Sequence, residues 1–141
     1  MIIQIIGAFI AVVALSIIFS IPKKFLIYSG IVGAVGWFIY LLFLRLKFQE
    51  TTSVFIATLV VALISHSFAR IFKAPVTVFL IAGILPMVPG VGMYRIAYSM
   101  LSEDSGMTAY YFNHTLQIAG LIAIAIFIMD TIFRMAQRRK V

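Results

Sequence analysis

Side chains capable of chemistry are few in this chain, and they gather in three places. The first is the segment from Pro75 to Arg95, where Pro86, Pro89, Gly90 and Gly92 crowd together just before Tyr94 and Arg95. Each proline lacks a backbone N–H, so in a helix the pair would release the carbonyls of Ala82 and Leu85 from their usual partners. Glycines at 90 and 92 permit backbone angles that other residues resist. The composition therefore predicts a helix that breaks near Pro86–Gly92 and then resumes. At membrane depth a broken backbone survives only where protein buries it or where it lines a watered cavity. Transporters use such breaks to hold a substrate or a coupling ion, whereas the plainer outcome is a proline kink without a ligand.

Arg95 would be costly to place within a membrane unless paired or hydrated. Its guanidinium could grip a carboxylate with two parallel hydrogen bonds, or it could snorkel to the headgroups. Tyr94 either lines a cavity or joins an aromatic belt. The second place is Ser65-His66-Ser67, about a turn before Arg70. The third is the face of Tyr110, Asn113, Gln117 and Gly120, with His114 beside it. Gln117 is the deepest of these and is expected to face other helices, either contacting substrate or hydrogen-bonding a neighbour. His66 and His114 are candidates for a proton-linked step, since imidazole titrates near neutral pH; His66 could equally be a hydrogen-bonded interface residue.

Catalytic signatures are missing. There is no His-Glu-x-x-His, no Gly-x-Ser-x-Gly, no phosphate loop and no cysteine, and nothing calls for a metal or a cofactor. No carboxylate falls inside an apolar run, Asp130 only bordering the last, so an enzyme is not expected.

These residues need elements to position them, and composition says which. Of the 141 residues, 64% are hydrophobic and only 11% charged, with a mean hydropathy of +1.17. Soluble domains carry roughly 25% charged residues. Here the charges sit in short clusters between long apolar runs, the pattern of an all-α integral membrane protein. The runs predict five spans in one transmembrane domain: Ile2–Ile21, Phe25–Leu44, Ser53–Ala69, the broken Pro75–Leu101, and Ala109–Met129, followed by a basic tail over 130–141. Met1-Ile2-Ile3-Gln4 lacks a basic region and no Ala-x-Ala-like site follows, so a cleaved signal peptide is not expected. A pI near 10.1 reflects scattered basic residues rather than a basic face, which argues against a nucleic-acid partner.

Eight of the eleven basic residues (Lys23, Lys24, Arg70, Lys73, Arg134, Arg138, Arg139 and Lys140) fall on one side of this layout, and Arg45, Lys47 and Arg95 on the other. The positive-inside rule then places the N-terminus outside and the C-terminus in the cytoplasm of a cell's inner membrane. Small residues four apart, Gly7 and Ala11, then Gly30 and Ala34, and the stripe Thr58, Ala62, Ser65 and Ala69, are expected to pack helices closely.

The stretch Lys73-Ala74-Pro75-Val76-Thr77-Val78-Phe79-Leu80, followed by Pro86-Met87-Val88-Pro89-Gly90-Val91-Gly92-Met93-Tyr94-Arg95, resembles the threonine/serine exporter family. Within it, the chain is similar to the small all-membrane subunit that corresponds to the C-terminal half of fused exporters. The resemblance implies a larger partner subunit with its own membrane half, and so a hetero-oligomer. It also implies export of a small amino acid or, in related two-subunit systems, of a dicarboxylate such as succinate. A membrane scaffold without its own ligand site is the competing expectation.

Overall fold

A computed structural model describes residues 1–138; Arg139 and Lys140, counted in the orientation argument, lie outside the described residues with the end of the tail. The described chain is helical throughout: α1 (Ile2–Ile18), α2 (Leu26–Arg45), α3 (Glu50–Phe72), α4 (Thr77–Ile84), α5 (Gly90–Leu101) and α6 (Ser105–Arg138). Three helical stretches, containing α2, α3 and α6, are long and apolar enough to cross a membrane, and α4 with α5 forms a bent fourth candidate. With its 17 residues, α1 rises about 25 Å, close to the thickness of a hydrocarbon core.

The helix ends follow local chemistry. Beyond α1 the chain turns through Ser20, in the left-handed region at φ 56°, ahead of Pro22, so the expected first span loses its last residues to a turn. Lys73, at φ 50°, terminates α3 in the same way before Pro75. Asp104 caps α6: its Oδ1 accepts from the Met107 N–H at 3.0 Å. That cap starts α6 four residues before the apolar run at Ala109, and the helix rises about 50 Å in all, longer than a bilayer core.

Helix α2 sits at the centre, packed on α1, α3 and α4, while α3 also packs on α6 and α5 rests mainly on α6. Glycine makes the close approaches possible. A Cβ on Gly30 would meet Val13 Cγ2 of α1 at 2.6 Å, and one on Gly36 would meet Met87 Cε at the same distance. Phe25, Phe72 and Phe79 form an edge-to-face cluster at one end, with Phe25 and Phe79 centroids 5.4 Å apart. The expected stripe on α3 is buried at Thr58, Ala62 and Ser65 and half-buried at Ala69. On α1 the expectation fails: Gly7 and Ala11 are exposed, and Ala8, Val12 and Ser16 make the buried face instead.

Helices α3 and α6 run parallel in near-constant register. Glu50 meets His114, His66 approaches Asp130, and Arg70 bonds the carbonyl of Phe133. Since α3 and α6 point the same way, the chain between Phe72 and Ser105 must return across the bundle. The α4–α5 pair is therefore a crossing, bent by 49° at its break.

Candidate functional site

The break is built from three short-range backbone bonds. With Pro86 unable to donate, Leu85 N–H turns to the Ala82 carbonyl, and Val88 N–H bonds the Leu85 carbonyl at 3.2 Å. Gly90 N–H then bonds the Val88 carbonyl at 2.6 Å around Pro89, whose φ −70° and ψ 58° make an inverse γ-turn. The carbonyls expected to be free are thus taken up by tight turns. Amides are left free instead: Val91 and Gly92, at the start of α5, have no backbone partner among the described residues. The break therefore presents the positive end of a helix, which suits an anionic group rather than a cation.

The glycines also act differently from expectation. Neither has a positive φ. Gly92 is required because a Cβ there would collide with Thr115 Oγ1 of α6, whereas nothing lies within 4 Å of a Cβ on Gly90. One glycine sets the α5–α6 contact, and the other lies at the pocket wall with open space around it.

That pocket encloses about 310 Å³ and is bounded on one side by Pro86, Pro89, Gly90, Gly92 and Arg95. From α6 come Tyr110, Tyr111, His114 and Thr115; from α2, Trp37 and Tyr40; from α3, Glu50 and Val54. Met87 and Ile118 add apolar surface. His114 Nε2 lies 3.1 Å from Glu50 Oε2, and the His114 ring stacks parallel to Tyr110 with centroids 6.2 Å apart. The Arg95 guanidinium lies over the Tyr111 ring at 5.5 Å. Thr115 is buried, and its Oγ1 faces Gly92 without a hydrogen-bond partner among the described residues.

Of the residues singled out from sequence, the pocket gathers Pro86, Pro89, Gly90, Gly92, Arg95, Tyr110 and His114. It does not gather the others. Tyr94 is 68% exposed and stacks on Tyr98 along the outside of α5. Asn113 borders a shallow groove with Ile96 and Phe112. Gln117 is exposed, not turned into the bundle as expected, because the inward stripe of α6 is Thr115, Ile118, Ile122 and Ala125. His66 lies at the far end of α3 from Glu50.

Sequence reasoning missed Glu50, Trp37, Tyr40, Tyr111 and Thr115. Glu50 precedes the apolar run, which starts at Ser53, yet an acidic residue in a helix's first turn is favoured by the helix dipole. Helix α3 therefore begins at Glu50, ahead of its apolar run, and carries that carboxylate to the pocket.

No solved structure matches the chain. A Haemophilus influenzae protein described as uncharacterized is 31% identical to it over 94 residues. That alignment covers 67% of this chain and 32% of the relative, so the chain spans about a third of the relative's length. The family model described as "Threonine/Serine exporter, ThrE" matches residues 4–132, which include every helix that lines the pocket. The chain belongs to the threonine/serine exporter family.

Proposed function

We propose that this chain is a subunit of a secondary transporter that exports small polar metabolites, and that the pocket at the α4–α5 break holds the substrate. Threonine- or serine-type amino acids are the substrates the pocket chemistry favours. The observation that carries the reading is the pairing of opposite charges around one small pocket. Arg95 and the free amides of α5 suit a carboxylate, while Glu50 suits an ammonium group. A volume of about 310 Å³ fits a small metabolite, being at the low end for ligand pockets. His114, bonded to Glu50, is positioned to exchange a proton with it as substrate enters and leaves.

A dicarboxylate of the succinate type is the second reading, favoured by the same Arg95 and α5 terminus but opposed by Glu50. A scaffold subunit without its own site is the third, favoured by the close glycine packing of α2.

We further propose partnership with a larger membrane subunit of the same family, as a hetero-oligomer. The chain alone offers about five crossings, and paired halves would bring two broken helices to one central site. The positive-inside distribution supports a plasma (inner) membrane location with the N-terminus outside and the C-terminus cytoplasmic.

The test is flux of radiolabelled threonine, serine and succinate through vesicles that contain this chain with its partner. Gly90→Leu, which adds a bulky side chain at the pocket wall, should abolish flux of the true substrate while assembly persists. Unchanged flux in assembled Gly90→Leu vesicles would move the site to the partner.

A further inference from the structure

A second cleft lies at the opposite end of the α3–α6 pair and is not used by the transport reading. His66 is 16 residues beyond Glu50, about 24 Å further along α3. The cleft has a volume of about 640 Å³ and takes His66, Arg70 and Lys73 from the α3 side and Asp130, Phe133 and Arg134 from α6. Its charges do not balance. Asp130 is already committed to Arg134, whose Nε lies 2.7 Å from Oδ2. Arg70 and Lys73 have no carboxylate within ion-pair distance among the described residues.

Two features make this a shaped site rather than a diffuse basic rim. Arg70 is held in place: its Nη2 donates to the Phe133 carbonyl at 2.8 Å, and its guanidinium lies over the Phe133 ring at 4.5 Å. His66, only 8% exposed, stacks on Phe133 with ring centroids 4.6 Å apart. Its Nε2 is buried with no hydrogen-bond partner, since Asp130 Oδ1 at 3.9 Å is beyond hydrogen-bond range. A buried ring nitrogen without a partner is costly unless something fills the space before it.

We infer that this cleft binds an oxyanion, a carboxylate or a phosphate, with His66 Nε2 donating from the buried side and Arg70 and Lys73 supplying charge from the rim. Asp130 Oδ1, 3.9 Å from His66 Nε2, is the oxygen that the anion must displace to reach that nitrogen, and Arg134 on Oδ2 offsets its charge. The same chemistry is found on a soluble solute and on a phospholipid headgroup, and the experiment separates them.

Protein with ¹⁵N-labelled histidine is placed in phosphatidylcholine nanodiscs and followed by NMR at constant pH and ionic strength. The chain has two histidines, and His66→Gln assigns the signals. Inorganic phosphate and succinate are titrated in one arm, and phosphatidylglycerol replaces part of the lipid in the other. The His66 ring nitrogens should shift and saturate in at least one arm. A shift with phosphate or succinate supports a solute site; a shift with phosphatidylglycerol alone supports a headgroup site. The Arg70→Gln/Lys73→Gln variant, with helicity confirmed by circular dichroism, should weaken the response by about tenfold. A flat His66 signal in both arms, or a response unchanged in that variant, overturns the inference. His114 is read separately in the same spectra, so failure here leaves the pocket at the α4–α5 break untouched.

Discussion

Alanine at Gly92 adds one methyl group at the point where α5 touches α6. The added Cβ would collide with Thr115 Oγ1 and lie 3.3 Å from Thr115 Cβ and 3.4 Å from Cγ2. Thr115 is buried, and the contact with its Cβ persists whichever way the side chain rotates. Overpacking of this kind costs about 1–3 kcal/mol, by forcing either Thr115 or the whole of α5 to move. Thr115→Ala removes Oγ1 and Cγ2, two of the three atoms that the added Cβ meets, and Oγ1 sacrifices no hydrogen bond because it makes none. The Gly92→Ala/Thr115→Ala double variant should therefore recover part of the loss, with a coupling of about 1–2 kcal/mol. Gly90→Ala is the control, since its Cβ meets nothing, and should lie within about 0.5 kcal/mol of the parent. Denaturant unfolding in detergent, monitored by circular dichroism, gives all four values. If Gly92→Ala unfolds like the parent, or if its penalty simply adds to that of Thr115→Ala, the proposed α5–α6 contact is wrong.

Asp104→Ala removes the α6 cap and should cost about 1 kcal/mol in the same unfolding assay, leaving ligand affinity unchanged because the cap is outside the pocket. Gly33→Ala places a Cβ against Val12 and should separate α1 from α2, which a cysteine-crosslinking pair across that interface would register as a reduced yield. Gln117→Leu should leave stability and transport near parental values, since the residue is exposed and outside the pocket; lost flux in assembled vesicles would assign Gln117 to the translocation path or to the partner interface.

Much of this architecture is legible in the residues. Long apolar runs mark the spans, and two prolines remove two donors wherever the chain runs, so the break could be located to within a few residues. What the break offers was not legible. Whether freed carbonyls or freed amides face the pocket depends on how the turn closes, and Leu85 and Val88 consumed the carbonyls. Nor does local sequence reveal that Glu50 meets His114, because that contact depends on the parallel register of α3 and α6. Gln117 shows the complementary error: depth along a helix predicts that a polar residue faces protein, but the direction is set by which stripe of α6 packs on α3. Gly7 and Ala11 fail for a related reason, as a small-residue pair marks a possible close approach without naming the helix that makes it.

The central claim is that the pocket reads a carboxylate through Arg95 and an ammonium through Glu50. Equilibrium binding of threonine and succinate to the assembled complex, with Arg95→Gln and Glu50→Gln, tests it most directly. Arg95→Gln should weaken both ligands by about tenfold, the low end for a charge-assisted contact because Arg95 is exposed rather than buried. Glu50→Gln should weaken threonine alone and leave succinate equal or tighter. Parental threonine affinity in both variants, with helicity intact, would contradict the account.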